Sequence, residues 1–94
     1  MTLETIPFDP AEFIDTPEAQ YEFIKSAVET GDTAYIRKAL DVVARARGMT
    51  NIAKDAGVTR EALYRALSDK GDPRMSTLFG VLKALGIKLT TEAA

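Results

Sequence analysis

Residues 49–68 read MTNIAKDAGVTREALYRALS, a pattern that predicts two short helices joined by a tight turn. Thr50 is in position to cap the first helix, since a threonine hydroxyl can accept a hydrogen bond from a backbone N–H one turn on. Gly57 is expected to end that helix because glycine adopts left-handed backbone angles at little cost. Thr59 is then expected to cap a second helix that runs to about Ser68. Together these positions predict a helix-turn-helix.

Apolar side chains recur on one face of each predicted helix, so the two helices are expected to pack against each other. Ala53 is small at the point where they should cross closely, and Val58 is expected to fill the corner between them. The residues expected to pack are Ile52, Ala53, Ala56, Val58, Leu63, Ala66 and Leu67.

The second predicted helix leaves polar side chains on its outward face, among them Arg60 and Arg65. A helix N-terminus attracts phosphate, and arginine can form bidentate hydrogen bonds with the edge of guanine. The pattern therefore predicts a helix that enters the major groove of DNA. An ordinary helical hairpin with a solvated polar face is the plainer alternative. The joint spacing of caps, turn and apolar positions favours DNA binding.

Polar and basic side chains around this motif are expected to hold DNA phosphates and to fix its register. Lys70 and Arg74 follow the second helix in a loop rich in turn-forming residues, from which they can reach phosphates on either side of the groove. The candidate phosphate contacts are Thr50, Asn51, Lys54, Lys70 and Arg74.

Composition excludes several classes of function. The 94 residues suggest one small domain, and they include no cysteine or histidine, which removes disulfides and the commonest metal ligands and general base. Paired carboxylates such as Asp69 and Asp72 read as turn and surface residues. We therefore expect no enzyme activity, no catalytic or metal-binding residue and no cofactor. No run is long enough to span a membrane and no signal peptide is recognisable, so the expected location is cytoplasmic.

Charge is divided unevenly along the chain. Residues 1–34 carry eight acidic side chains and one lysine, a net charge of −7, whereas residues 35–94 carry eleven basic and six acidic side chains, a net charge of +5. An acidic front and a basic back indicate two different partners. The plainer alternative is that charge varies along any chain.

The first 15 residues are predicted to form an N-terminal arm, because Pro7 and Pro10 interrupt any helix there. Apolar side chains in and just after this arm need a surface to cover, which is either another protein or the chain's own core. The acidic charge around them suits a basic partner. The candidate contacts to such a partner are Phe8, Phe13, Ile14 and Tyr21.

Two helices are predicted between the arm and the motif. Thr16 followed by Pro17 marks the start of the first, which is expected to end at Gly31. Asp32 is expected to cap the second, which ends at Gly48. Both helices carry apolar residues at helical spacing, so each should pack one face on the core.

One helix and one short strand are predicted after the motif. Ser76 is expected to cap a helix that ends at Gly86, with Met75 buried beside it. Residues 87–90 alternate apolar and polar, which is the period of a strand. A lone strand of this length is not stable, so it would have to pair with a second copy of the chain or with a partner.

Several runs in this sequence resemble the addiction-module antidote proteins, which are small Cro/Xre-like helix-turn-helix antitoxins. The run REALYRALS at residues 60–68 is the most specific of them, whereas a bare helix-turn-helix is not specific. The resemblance covers roughly residues 8–90. Its other parts are FD at 8–9, FIDT at 13–16, ARARGMT at 44–50, IA at 52–53, GVT at 57–59, GDP at 71–73, TL at 77–78 and VLKALG at 81–86.

The resemblance implies an all-α fold, a small bundle of five helices with a Cro-like helix-turn-helix, to which the alternating residues 87–90 add a possible short C-terminal strand. It also implies a cytoplasmic bacterial or phage origin and a homodimer on palindromic, double-stranded operator DNA. We expect an N-terminal arm over residues 1–15, a DNA-binding helical domain over residues 16–90 and a loose tail over residues 91–94.

The resemblance further implies an antitoxin of a type II toxin–antitoxin module, which neutralises a RelE/ParE-like toxin by direct binding and represses its own operon. Toxin contacts do not transfer by position, and we place them in the acidic front because such toxins tend to be basic. Tyr64 can pack instead of reading a base, and Glu61 can accept from cytosine or orient an arginine. By position, the base-contacting candidates are Thr59, Arg60, Glu61, Tyr64 and Arg65.

Two alternatives stay open at this point. One is a stand-alone or phage-type helix-turn-helix repressor without a toxin partner. The other is a toxin-binding subunit that grips DNA poorly, which the acidic isoelectric point of about 5.1 would fit. A basic protein encoded in the adjacent reading frame would separate the first alternative from the antitoxin.

Overall fold

The computed structural model describes residues 15–94, and over this range the chain forms five α-helices and no strand. The predicted all-α, five-helix fold is confirmed for these residues. Predictions on the N-terminal arm, including Phe8, Phe13 and Ile14, lie outside the described residues. The helices are α1 (Pro17–Thr30), α2 (Thr33–Arg47), α3 (Met49–Ala56), α4 (Arg60–Ala66) and α5 (Met75–Ala84).

The first two helices begin at the caps that the sequence predicts. The Thr16 hydroxyl accepts a hydrogen bond from the backbone N–H of Ala19 at 3.1 Å. The Asp32 carboxylate accepts from the backbone N–H of Ala34 at 3.0 Å. Gly31, with φ +71°, ends α1 in the left-handed conformation that glycine adopts without strain. Each bond satisfies a backbone group that the helix leaves unpaired at its end.

Two predicted caps are wrong. Helix α3 begins at Met49, so Thr50 lies within its first turn, and Gly48 occupies the N-cap with no side-chain hydrogen bond. Helix α5 begins at Met75 rather than after Ser76, and its N-cap also lacks a side-chain bond. In both cases the helix already includes the residue whose hydroxyl was expected to cap it.

Met75 is not buried as predicted, since 72% of its surface is exposed. Burial increases along α5 from this exposed first turn to Val81 and Leu82, which are almost fully buried. The first turn of α5 therefore lies at the edge of the core, where an apolar side chain finds no surface to cover.

All five helices contribute to one apolar core. Helix α5 lies close against α3, because a Cβ built on Gly80 would lie 3.0 Å from the Ala56 carbonyl oxygen. The absence of a side chain at Gly80 permits this approach. The core residues are Ile24, Leu40, Val43, Ala44, Met49, Ile52, Ala53, Leu63, Leu67, Val81, Leu82 and Leu85.

Two arginines of α2 fasten distant parts of the chain to it. Arg37 donates to the backbone carbonyl oxygens of Asp69 at 2.9 Å and Gly71 at 3.2 Å, and so holds the loop that follows α4. Arg47 donates to the Leu85 carbonyl oxygen at 3.1 Å and to the Gln20 side chain. Guanidinium groups suit this work because each presents several fixed donors to acceptors at helix and loop ends.

The chain after α5 forms no helix or strand. The Ile87 backbone N–H donates to the Leu82 carbonyl oxygen at 2.9 Å and closes the end of α5, just after Gly86 with φ +76°. Residues 87–90 form no strand within the single chain, so pairing across two chains remains a prediction. Among the helices of residues 15–94, none has the length and apolar character needed to cross a bilayer.

Candidate nucleic-acid interface

Helices α3 and α4 are joined by the tight turn that the sequence predicts. Gly57 has φ +78° and ψ +26°, and its N–H donates to the Lys54 carbonyl oxygen at 3.2 Å. The N–H of Val58 donates back to the Ala53 carbonyl oxygen at 3.0 Å. These bonds satisfy the last carbonyl groups of α3 and turn the chain sharply into α4.

Thr59 caps α4 as predicted. Its hydroxyl oxygen accepts a hydrogen bond from the backbone N–H of Ala62 at 3.0 Å, while its own backbone is extended. The hydroxyl hydrogen remains available to donate, because a hydroxyl both donates and accepts. The exposed start of α4 thus presents backbone N–H groups, a hydroxyl donor and the positive end of the helix dipole.

One side of α4 is fixed in the core and the other faces solvent. Leu63 is fully buried, and Leu67, at the C-cap, is buried to 3% exposure. Arg60, Glu61 and Arg65 are exposed. The predicted division between packing and outward residues is therefore confirmed for these five residues, but not for Tyr64.

Helix α4 ends at Ala66, two residues before the predicted end. The Ser68 hydroxyl donates to the Arg65 carbonyl oxygen at 2.8 Å and takes the chain out of the helix. The chain then folds back so closely that a Cβ on Gly71 would overlap the Ala66 carbonyl oxygen. This return explains the early stop, because a further helical turn would occupy the same space.

Tyr64 lies between the core and the exposed face of α4. It is half-buried and packs against the core, which is the alternative that the sequence left open for it. The Arg60 guanidinium carbon lies 5.3 Å from the centroid of its ring, and an Arg60 nitrogen lies 3.4 Å from its hydroxyl. Arg60 is thus exposed but packs against the Tyr64 side chain of its own helix.

Asp41 and Arg45, on α2, were not among the predicted site residues, but Asp41 contacts Arg45, and Arg45 in turn contacts Tyr64 of α4. Arg45 Nε lies 3.0 and 3.1 Å from the two carboxylate oxygens of Asp41, one turn earlier on α2. The Arg45 guanidinium carbon lies 4.9 Å from the centroid of the Tyr64 ring. The spacing of acid and arginine was visible in the sequence, but the ring is 19 positions further along the chain.

The candidate phosphate contacts are all exposed, as such contacts require. Thr50, Asn51 and Lys54 lie on α3, the helix that precedes the turn. Lys70 lies in the loop that Arg37 holds, and Arg74 immediately precedes α5. The helix before α4 in the chain and the loop after it therefore carry these side chains.

Tyr21 lines a cleft between α1 and the C-terminal segment that follows α5. Its side chain is 45% exposed, and Val28 on the same helix is 39% exposed. The cleft has a volume of about 400 Å³, and Ile87 and Leu89 line its other side. The structure thus brings one candidate contact of the acidic front beside apolar residues from the opposite end of the chain.

Comparison with known proteins identifies the family. A family model described as a probable addiction module antidote protein matches residues 4–93. The chain belongs to this family. An uncharacterized protein of Haemophilus influenzae is 37% identical over 92 residues, which are 98% of this chain and 95% of the relative. No solved structure matches the chain.

Membership of the antidote family confirms the antitoxin part of the resemblance. An antidote implies a toxin that it counteracts, so a toxin partner follows in general terms. The family description also indicates a regulatory protein rather than an enzyme. The antidote family match extends over the whole described part of the chain except its last residue, including the α3–α4 pair and the cleft at Tyr21.

Proposed function

We propose that this antidote protein is the antitoxin of a type II toxin–antitoxin module. It neutralises a basic RelE/ParE-like toxin by direct binding, and it represses its own operon by binding operator DNA through a Cro-like helix-turn-helix formed by α3 and α4. It acts in the cytoplasm without a cofactor. Residues 16–90 are its DNA-binding domain, and the arm at residues 1–15 belongs to the toxin-binding part.

The DNA-binding part rests on the geometry of α4. A turn at Gly57 and a cap at Thr59 aim this helix, Leu63 fixes its inner side, and Arg60 and Arg65 remain exposed. Arginine at such a position can reach both acceptors of a guanine edge in the major groove. The proposed base contacts are Thr59, Arg60, Glu61, Tyr64 and Arg65.

The phosphate contacts support this orientation. The proposed reading helix is preceded by α3 and followed by a loop, and both carry exposed polar and basic side chains that can contact the backbone of a duplex. Such contacts give affinity for any sequence and make it depend on salt. The residues proposed for this role are Thr50, Asn51, Lys54, Lys70 and Arg74.

Footprinting on the DNA upstream of the gene tests repression. We expect the full chain to bind as a homodimer and to protect two half-sites about 34–36 Å apart, one helical turn of DNA. The double variant Arg60→Ala, Arg65→Ala should lose the footprint but keep its fold. Equal affinity for the upstream fragment and for unrelated DNA would mean that the protein binds DNA without sequence preference, which would refute operator binding.

The toxin-binding part rests on charge and on the cleft at Tyr21. Helix α1 exposes three acids, Glu18, Glu22 and Glu29, against one lysine, Lys25, so acidic charge predominates on the helix that carries Tyr21 and Val28. A basic partner with an apolar segment fits such a surface, because opposite charge steers it and apolar burial holds it. We place Phe8, Phe13 and Ile14 of the arm in the same interface.

Co-purification with the product of the adjacent reading frame tests toxin binding. Tyr21→Ala should weaken the complex by at least roughly tenfold, since aromatic residues in apolar clefts dominate interface energetics. Tyr35→Ala is the control, because this tyrosine is 42% exposed on α2 and outside the cleft. Its ring also contacts Phe23 of α1 edge-on at 6.5 Å, so thermal unfolding of both variants is compared first. Equal losses in both variants would refute this surface. An adjacent frame without a basic protein would favour a stand-alone repressor.

A further inference from the structure

We propose that Asp41 and Arg45, on α2, are positioning residues for base selection by α4. They would act by holding Tyr64, and through it Arg60, without touching a base themselves. This inference rests on the proposed DNA-binding function and assigns it two residues outside the helix-turn-helix. It is drawn from a chain of contacts that runs from inside the fold to the exposed face of α4 and joins four side chains, Asp41, Arg45, Tyr64 and Arg60.

The inner end of this chain is fixed by Asp41. Its side chain is only 10% exposed, and both of its carboxylate oxygens lie near the same nitrogen of Arg45. A carboxylate at this depth needs such a partner, because an unpaired buried charge is costly. The Arg45 side chain, in contrast, is 53% exposed. The acid therefore holds an arginine that would otherwise move freely in solvent.

The middle of the chain is a stacking contact. The planar guanidinium of Arg45 lies over the Tyr64 ring at 4.9 Å, which is the geometry of a cation–π contact. Tyr64 also packs against the apolar core. The ring is thus held by the core and by an arginine from another helix, so its position depends on both.

The outer end of the chain is Arg60. Its guanidinium lies over the same ring at 5.3 Å and beside the ring hydroxyl. A long exposed arginine loses many rotamers when it binds, and a resting place on a fixed ring reduces that loss. A ring that moves would leave Arg60 free to reach more than one base edge. Loss of Asp41 or Arg45 should therefore relax base choice more than it weakens binding.

Nuclear magnetic resonance of the free protein tests the chain without DNA. The Nε–H signals of Arg45 and Arg60 should be displaced by the Tyr64 ring, and both displacements should vanish in Tyr64→Leu. In Asp41→Asn the Arg60 signal should also move, although Asp41 lies on another helix. The matched control is Asp55→Asn, which removes an exposed acid on α3. An Arg60 signal unchanged in Asp41→Asn would overturn the proposal.

Selection from a randomised duplex library tests the consequence for DNA. Arg45→Gln should reduce the preference at the base pair that Arg60 reads by at least about fivefold, the lower end of what a lost bidentate contact costs. It should also lower the unfolding temperature, because the Asp41 carboxylate loses its partner, so the selection is made well below that temperature. Lys38→Gln, which removes the same charge from an exposed site on α2, should keep the preference.

The variant Arg45→Lys separates positioning from direct contact. Lysine keeps the charge but has no planar group to stack on the ring. Preference should therefore stay relaxed in Arg45→Lys. Full rescue would mean that the charge at position 45, and not stacking on the Tyr64 ring, sets the preference, which would overturn the proposal. A wild-type chain that selects no sequence would refute the proposed operator binding, while the signals of the free protein would still decide whether Asp41 positions Arg60.

Discussion

The Arg45 guanidinium carbon lies 4.9 Å from the centroid of the Tyr64 ring, and this contact joins helix α2 to the outward side of α4. Helix α4 is therefore held from two directions. Leu63 anchors it in the core, and Arg45 reaches its exposed face. A short helix that must present side chains to DNA in one orientation gains from both, because seven residues alone form a weak helix.

Replacement of Arg65 by alanine tests base reading most simply. Arg65 is exposed on α4, and we propose that it contacts a base edge. Arg65→Ala should reduce operator affinity by roughly 1–3 kcal/mol and relax the choice at one base pair. Competition binding with operators changed at single positions measures both effects. Unchanged affinity and unchanged base choice would refute the assignment.

Replacement of Lys54 by alanine tests phosphate contact. Lys54 is exposed in the last turn of α3, beside the turn into α4. Lys54→Ala should weaken binding to all sequences alike and lower the slope of log affinity against log salt by about 1. Titrations of operator and unrelated duplexes at several salt concentrations measure this. A loss confined to the operator would instead make Lys54 a base contact.

Replacement of two threonines of the motif tests which of them caps a helix. The Thr59 hydroxyl accepts from the backbone of α4, whereas Thr50 lies inside the first turn of α3. Thr59→Ala should lower the free energy of unfolding by about 1 kcal/mol, the usual cost of a lost N-cap. Thr50→Ala should change it by less than about 0.5 kcal/mol. Urea unfolding of both variants gives the comparison, and equal losses would contradict the caps described here.

Two apolar residues test the position of the core. Leu63 is fully buried in α4, and Met75 is 72% exposed at the start of α5. Leu63→Ala should lower the free energy of unfolding by about 2–5 kcal/mol because it leaves a cavity. Met75→Ala should stay within about 0.5 kcal/mol of the wild type. A large loss at Met75 in the isolated chain would show that the core extends further along α5.

The sequence predicted the features that depend on near neighbours. Thr16, Asp32 and Thr59 were recognised as caps because each bond spans two or three residues, and Gly57 was recognised because a left-handed turn needs glycine. The inner side of α4 followed from helical periodicity, which places Leu63 on the face opposite the arginines. Local chemistry decides these features.

The sequence did not predict the features that depend on contacts between residues far apart in the chain. Met75 was expected in the core because it is apolar, but its exposure depends on where α5 leaves the other helices. Arg37 and Arg45 gave no sign of their partners, since the Asp69 carbonyl oxygen and the Tyr64 ring lie 32 and 19 positions away. Only packing brings such groups together, so a single sequence does not reveal them.

The central claim is that the outward side of α4 faces the bases of operator DNA. Backbone amide signals of the labelled protein, followed while a library-selected duplex is added, test it most directly. We predict the largest changes from Thr59 to Arg65 and smaller ones at the start of α3. Changes confined to α1 and the C-terminal segment, with α4 unaffected at saturation, would contradict the claim.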